Sequence, residues 1–338
     1  MGEENKKNIS YTTPKFHRRC FANVIDFLLF LVVAVSFFLA ARWIVSLTPS
    51  FKNNEARLLQ IREESGLYYV DGDKSEDMLY HIDTGNNTAY MKCVKTDEAI
   101  EKFIVYLKNN VSEEASKKVR DDYDSFRLDP KFVYEKEGTK IPYFIKNESG
   151  SIERNPELND LVSKREYFEK VYTPFFDEHA LGYLVTAVPE YLGLVRYESI
   201  MLFAVEIPVG WLIGGLLVYL LPGLLFRRGR RTIGKWMYQI GLANAKLLSC
   251  SAGRFVARWA IFFFGVLTLS IFTFGIPMIV SFSLMAFSKR KQGFPDYILG
   301  LIEVDVSYQK LYFSFDEIIV TGAGEPHKAI DFKPVDRL

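Results

Sequence analysis

One strong acid lies inside a long apolar stretch of this sequence, close to its basic beginning. Asp26 follows Arg19 by seven residues, which is about two turns of a helix and places both side chains on one face. A carboxylate in a membrane-spanning helix is costly, and it is usually paired with a cation or borders a polar cavity. Asp26 is therefore either half of a structural ion pair that fixes helix packing or an acid that takes part directly in moving an ion or a substrate.

Other basic residues that could balance Asp26 occur far from it in the sequence. Arg19 lies about 10 Å away along the helix axis, which is too far for an ideal pair. Better candidates come from the basic flanks of later apolar stretches, namely Lys235, Arg254 and Arg258.

A second acid and arginine form a separate candidate pair. Arg42 lies near the far end of the first apolar stretch, and Glu206 lies near the start of the second. If these stretches are antiparallel neighbouring helices, the two residues lie at a similar depth, which we place in the outer leaflet. The pair is either an interhelical salt bridge or a site at which Glu206 binds a proton or a cation.

The apolar residues that carry these groups are concentrated in three blocks, at about 21–47, 199–226 and 255–287. Each block exceeds the roughly 18–20 residues that a helix needs to cross the hydrocarbon of a bilayer. The sequence therefore predicts a membrane α-helical bundle, with a short connection at 239–259 that lies along the cytoplasmic surface.

The third block, taken as 259–287, has two alternative arrangements. It ends in the basic residues SKRKQ, and a single crossing would place these outside, against the tendency of Lys and Arg to stay cytoplasmic. A hairpin broken at Gly275 and Pro277 would return them to the cytoplasm, with arms of roughly 13–15 residues that are short for full spans. We expect the hairpin; the side on which the C-terminus lies depends on this choice.

Charge divides the chain into two parts of opposite balance. Residues 50–198 contain 21 Lys and Arg against 29 Asp and Glu, whereas the rest of the chain contains 21 against 12. The basic excess flanks the apolar blocks, which predicts cytoplasmic flanks and an extracytoplasmic domain between the first two blocks. The predicted divisions are a cytoplasmic N-terminus (1–20), a first span (21–48), an inserted extracytoplasmic α+β domain (49–198), a second membrane part (199–306) and a C-terminal tail (307–338).

Local patterns predict the elements of the inserted domain and the tail. Helices are expected at 51–65 and at 96–110, with Thr96 as the N-cap of the second, and helical pieces broken at Pro174 and Pro189 lead back to the membrane. A hairpin with Glu-Gly at its tip is expected at 131–147. The other strand-like segments are LYYV (67–70), MLYHI (78–82), TAYMKCV (88–94), GFPDYILGLIEVDV (293–306) and LYFSFDEIIV (311–320).

The basic loop RRGRRTIGK at 227–235 indicates one kind of partner. Four arginines and one lysine in nine residues beside a span suit anionic lipid headgroups, and no nucleic-acid partner is expected.

The three cysteines and four histidines are scattered, with no CxxC motif, no His/Cys cluster and no catalytic arrangement, so we expect no metal, no cofactor and no enzyme activity. Three or four spans are few for a transporter, so a homo-oligomer is kept as an alternative to a monomer.

Three motifs, in this order, resemble the RDD family of membrane proteins, which is named for one arginine and two aspartates. They are RCFANVID at 19–26, RTIGK at 231–235 and RKQGFPDYILG at 290–300. The arginine and the aspartates correspond to Arg19, Asp26 and Asp296, and the family's arginine before the last apolar block corresponds to Arg254 or Arg258. The resemblance covers residues 17–48 and 199–306.

This sequence departs from the family pattern in three places. The family's Gly-x-Thr becomes Arg230-Arg231-Thr232, with Gly229 shifted by one place, and Pro295 stands where family members often carry histidine. The insertion at 50–198 is also much longer than the usual loop.

The resemblance implies a fold more firmly than an activity, because the family is largely uncharacterised and transport, with cation/proton antiport in some members, is only suggested. It implies that Asp26 is a membrane acid and Asp296 an acid at the cytoplasmic edge, with Arg19 and Arg254 or Arg258 as their countercharges. We therefore expect an inner-membrane protein that moves or exchanges a small ion or solute. The alternative is a membrane-anchored binding or envelope-assembly protein whose outer domain captures a partner.

Overall fold

The computed structural model describes residues 11–148, 150–158 and 162–320. The predictions for residues 1–10 and 321–338 lie outside the described residues. Contacts divide the chain into two compact units, one formed by Met1–Trp43 with Ala204–Leu338 and the other by Ile44–Phe203. We call the first the membrane unit and the second the inserted unit.

The membrane unit begins with helix α1, Phe16–Ser46, which at 1.5 Å per residue is about 47 Å long. Thr48 is extended, as expected for a residue that precedes proline, so the helix ends just before it. The buried residues Ala22, Asp26, Phe30 and Ala34 recur every four positions. One face of α1 is therefore packed in protein, and most of the remaining surface is apolar and open.

Helices and antiparallel hairpins make up the inserted unit. The helices are α2 (Pro49–Ser65), α3 (Met78–Thr84), α4 (Ala89–Asn110), α5 (Glu113–Arg127) and a helical run at 164–187 that we label α6. The hairpins pair β1 (Tyr68–Asp71) with β2 (Lys74–Asp77), β3 (Val133–Lys136) with β4 (Thr139–Pro142), and β5 (Phe144–Lys146) with β6 (Ile152–Arg154).

Two of the predicted strands, 78–82 and 88–94, are wrong, because both segments are helical. The Asp77 carboxylate accepts hydrogen bonds from the first turn of α3, and the Thr88 hydroxyl accepts one from the first turn of α4. Such caps satisfy backbone N–H groups that a helix start leaves free. Short apolar runs do not distinguish strand from helix by periodicity alone, and here the caps decide.

Two predicted helix boundaries also differ from the structure. Thr96 is not an N-cap but lies inside α4, where its hydroxyl donates to the carbonyl of Lys92. Pro174 does not interrupt α6, because wide π-type turns on either side of it accommodate the missing N–H group. The break before Pro189 is present, with Val188 outside the helical region.

The inserted unit has a continuous hydrophobic core of its own, in which Phe103, Tyr123, Phe175 and Phe176 are fully buried. The predicted hairpin is also present, and Glu137 and Gly138 at its tip both have positive φ. A core of this size supports folding of the unit as a domain.

The chain then returns to the membrane unit through a long apolar helix. The elements that follow are α7 (Pro189–Leu225), α8 (Ile233–Met237), β7 (Ile240–Ala243), α9 (Ala252–Phe272), α10 (Ile276–Phe287), α11 (Phe294–Leu299), β8 (Ile302–Asp305) and α12 (Phe315–Val320). Helices α1, α7 and α9 are long and apolar enough to cross a membrane, whereas α10 has only 12 residues.

Close packing joins the three long helices. Gly210 and Gly214 of α7 approach the backbone of Ala34 so closely that an added Cβ would lie within 3.0 Å of α1 atoms. Phe30 fills the space between the helices. The centroid of its ring lies 4.7 Å from the ring centroid of Trp211 and 6.3 Å from that of Phe263. Small residues at crossings let membrane helices approach in this way.

The third apolar block reverses direction at Phe274 and Gly275, which both have positive φ, so the predicted hairpin break is present. The predicted arm length is wrong for the first arm. Residues 252–258, expected in a surface connection, belong to α9, whose N-terminus is capped by the Ser251 hydroxyl. The first arm therefore has 21 residues.

A small antiparallel sheet closes the membrane unit at one end. Strand β7 lies within the expected surface connection and pairs with β8, so that Leu242 faces Glu303 across the strands. The segment 293–306 is thus half helix and half strand. The strand expected at 311–320 is wrong, because its last residues form α12.

A buried charge cluster as the candidate functional site

Three cations and three carboxylates of the membrane unit are gathered in one buried place, which we call the charge cluster. Its cations are Arg19, Lys235 and Arg258, and its carboxylates are Asp26, Asp296 and Glu303. All six side chains are buried or nearly so. Equal numbers of opposite charges keep the formal net charge of the cluster at zero.

The cluster forms because five elements place one or two polar residues each at the same end of the bundle. Arg19 and Asp26 share the buried face of α1. The other members come from α8 (Lys235), α9 (Arg258), the first turn of α11 (Asp296) and strand β8 (Glu303). Ordered packing of a helix bundle against a small sheet is therefore required before these charges can meet.

Glu303 is the most highly connected member. Its Oε2 is 2.5 Å from Nε of Arg19, and its Oε1 is 2.5 Å from Nζ of Lys235. A third cation, Nη2 of Arg258, lies 3.7 Å from Oε1. Both oxygens of a buried carboxylate are thus held by cations, which is the arrangement that offsets its desolvation.

Asp296 is held by a two-point contact. Arg258 donates through Nε to Oδ1 at 2.5 Å and through Nη2 to Oδ2 at 3.1 Å. Such bidentate pairs fix geometry as well as charge. Arg258 consequently links Asp296 to Glu303.

Asp26 is held differently from the other two acids. Its Oδ2 accepts a hydrogen bond from the Thr232 hydroxyl at 2.5 Å, and its Oδ1 accepts one from the backbone N–H of Gly234 at 2.7 Å. Among the described residues, no lysine or arginine nitrogen forms an ion pair with it. Both direct donors to Asp26 are therefore neutral.

A small cavity of about 30 Å³ borders Asp26, which is enough for one water molecule. Its walls include Thr232, Lys235 and Arg258. The cavity shares Asn23, Tyr219 and Phe262 with an apolar groove of about 300 Å³. Asp26 thus has a water-sized space beside it, and three residues that line this space also line the larger groove between the helices.

The charges around Glu303 fix its ionisation state. Burial acts to raise the pKa of Glu303, but Lys235, Arg19 and Arg258 more than offset this. These cations hold the pKa of that carboxyl well below its usual range. Glu303 is therefore a permanent anion at physiological pH.

Because of this lowered pKa, the stability of the membrane unit depends on pH in the acidic range. A carboxyl with a lowered native pKa stabilises the fold fully above the unfolded pKa of about 4.3, and that contribution is lost as the pH falls towards the native pKa. As the pH is lowered below about 4.3, we expect the unfolding midpoint of the detergent-solubilised protein to decrease more steeply in the wild type than in Glu303→Gln. Tryptophan fluorescence follows the unfolding. An identical acid slope in the two proteins would contradict this assignment.

The remaining predicted residues lie outside the charge cluster. Arg254 is on an exposed face of α9, so of the two candidate arginines only Arg258 reaches the acids. Arg42 pairs with Glu206 at 3.2 Å, as a separate site. Arg42 follows Asp26 by 16 residues on the same helix, which is about 24 Å along its axis.

Two members of this arrangement were missing from the sequence prediction, Glu303 and Thr232. Glu303 had a detectable signal, since it is a single acid between apolar neighbours in the run GLIEV. Thr232 stood in a recognised motif, but nothing in its spacing indicated that its hydroxyl would bind Asp26.

Three helices of membrane-spanning length and composition, together with charged groups buried between them, define an integral membrane protein. Residues 179–300 match the model of the RDD family, whose members are membrane proteins, so this stretch carries an RDD domain. The resemblance inferred from the motifs is confirmed there, and the match includes Lys235, Arg258 and Asp296. No curated protein and no solved structure matches the chain.

Proposed function

We propose that this integral membrane protein exchanges a proton or a small cation, and that Asp26 is the exchanging acid. The observation that carries the proposal is the difference between the three acids of the charge cluster. Cations hold Glu303 and Asp296 directly, whereas neutral donors hold Asp26 beside a cavity of about 30 Å³.

Neutral donors suit an acid that changes its charge. The hydroxyl of Thr232 and the N–H of Gly234 keep the carboxyl group of Asp26 in place without a countercharge that must be separated when a proton or cation arrives. A water in the adjoining cavity would supply the relay. The ion pairs around Glu303 keep the surroundings of Asp26 polar.

The proposed topology follows from the charges. We place the protein in the cell inner membrane, with the N-terminus and the basic loop 227–235 in the cytoplasm beside anionic headgroups and with residues 49–198 outside. The acidic balance of 50–198 and the basic balance elsewhere support this orientation. A homo-oligomer without enzymatic chemistry is part of the same proposal.

Asp26→Asn tests the function, because asparagine preserves the local hydrogen bonds. Its Oδ1 still accepts from Gly234, and the Thr232 hydroxyl turns to accept from Nδ2. Membrane insertion and folding should therefore persist, while exchange of H⁺ against Na⁺, K⁺ or Li⁺ in reconstituted vesicles falls to the level of protein-free vesicles. An internal pH dye reports the flux.

Asp305→Asn is the matched control, since Asp305 forms an ion pair with Arg18 outside the cluster. It should retain exchange. Wild-type exchange rates in the Asp26→Asn variant would show that Asp26 is structural.

One observation favours a second candidate function. The inserted unit has its own hydrophobic core, which suits a domain that captures a protein partner while the membrane unit anchors it. This alternative gains support if wild-type vesicles carry no cation-dependent proton flux.

A further inference from the structure

A second buried acid lies far from the charge cluster along the same bundle. Glu206 of α7 has no exposed surface, and its Oε2 accepts one hydrogen bond from Nη1 of Arg42 at 3.2 Å. Among the described residues, the other oxygen, Oε1, has no hydrogen-bond partner. One half of a buried carboxyl group is thus unsatisfied inside a membrane-spanning helix.

The packing of α7 shows which way Glu206 faces. Glu206, Gly210 and Gly214 are spaced four residues apart and share one face of the helix. The two glycines abut the backbone of α1 at Ala34. Glu206 therefore lies against the next turns of α1, where Arg42 reaches it.

The backbone holds this acid in a wide turn. Residues Met201–Glu206 are π-helical, and Pro208, which lacks an N–H group, follows within two residues. Both a π-type turn and a proline interrupt the regular hydrogen bonding of an α-helix. Glu206 therefore lies at an irregular turn of α7.

The charged surroundings of Glu206 are sparse. Arg42 is the one cation that forms an ion pair with it among the described residues, and five residues further along α7 Trp211 donates a hydrogen bond to the neutral hydroxyl of Thr268 on α9. The Arg42 side chain is 54% exposed. A long basic side chain at a helix end can move its charge to the headgroup region.

We propose that Glu206 is a proton-binding site at the end of the bundle away from the charge cluster, with Arg42 as its displaceable counter-ion. A buried acceptor without a partner is costly, and more so when it is charged. A proton on the carboxyl removes that charge, whereas a metal cation would be repelled by Arg42. In the ionised state Glu206 pairs with Arg42; in the protonated state Arg42 moves to the headgroups.

Infrared spectroscopy of the full chain in lipid nanodiscs tests this directly, without any transport assay. A protonated carboxylic acid has a C=O stretching band distinct from carboxylate bands. We expect one component of this band to appear reversibly as the pH is lowered in the wild type and to be missing from the spectrum of Glu206→Gln, which keeps the side-chain shape. The band should persist in Asp26→Asn, the matched control for the other acid in the spans.

Arg42→Gln tests the counter-ion. Because a nearby cation favours the ionised acid, its removal should let the band persist to higher pH. Identical spectra of the wild type and Glu206→Gln at every pH would overturn the proton site. A titration unchanged by Arg42→Gln would overturn the role of Arg42.

Discussion

Replacing Glu303 by glutamine is expected to lower the free energy of unfolding of the membrane unit by roughly 3–5 kcal/mol. The amide keeps the shape of the side chain but removes its charge, and Arg19 and Lys235 remain buried without their counter-ion. An amide N–H would also point at one of these cations, which are donors themselves. Equilibrium unfolding in mixed detergent micelles, followed by tryptophan fluorescence, measures the loss.

Glu190→Gln is the matched control, because Glu190 also forms an ion pair with an arginine, Arg57, but both side chains are about half exposed. Surface pairs of this kind contribute about 0–1 kcal/mol. Equal effects of the two substitutions would contradict the assignment of Glu303 as the centre of a buried cluster.

A double variant separates charge imbalance from lost packing. Glu303→Gln combined with Lys235→Gln restores the equality of buried charges, so the pair should destabilise the protein less than the sum of the single substitutions. Additive effects would instead indicate that each residue acts only through its own contacts.

The spans could be predicted from the sequence, whereas the partners within the charge cluster could not. Hydrocarbon thickness imposes a minimum length on an apolar helix, and this local rule located α1 and α7. The pairing of Arg19 with Glu303 joins residues 284 positions apart. It depends on the register of β8 against β7, which no local pattern encodes.

The elements that were predicted wrongly have a different, local cause. Segments 78–82 and 88–94 carry apolar side chains that fit a strand or a helix equally well. The cap residues Asp77 and Thr88 were visible in the sequence, and they were the better signal because a cap satisfies specific backbone donors. The reversal at Gly275 was predictable for a similar reason, since glycine tolerates positive φ.

Replacing Gly234 by alanine is expected to have a similarly large effect through sterics rather than charge. A Cβ at this position would lie 2.1 Å from the carbonyl oxygen of Ala22 and 3.0 Å from Cγ of Asp26. Helix α8 would have to move away from α1, which would break the hydrogen bond from the Gly234 N–H to Asp26. Overpacking costs about 1–3 kcal/mol, and the lost hydrogen bond to a charged group adds roughly 1.5–3 kcal/mol.

Gly253→Ala provides the comparison, since Gly253 lies in α9 and a Cβ there meets nothing within 4 Å. Alanine has the higher helix propensity by about 1 kcal/mol, so this variant should be neutral or slightly more stable in the same unfolding assay. The two Gly→Ala substitutions thus have opposite expected signs. Wild-type stability of Gly234→Ala would mean that α8 does not approach α1 this closely, and the neutral hydrogen bonds that distinguish Asp26 from the other acids would then lose their structural basis.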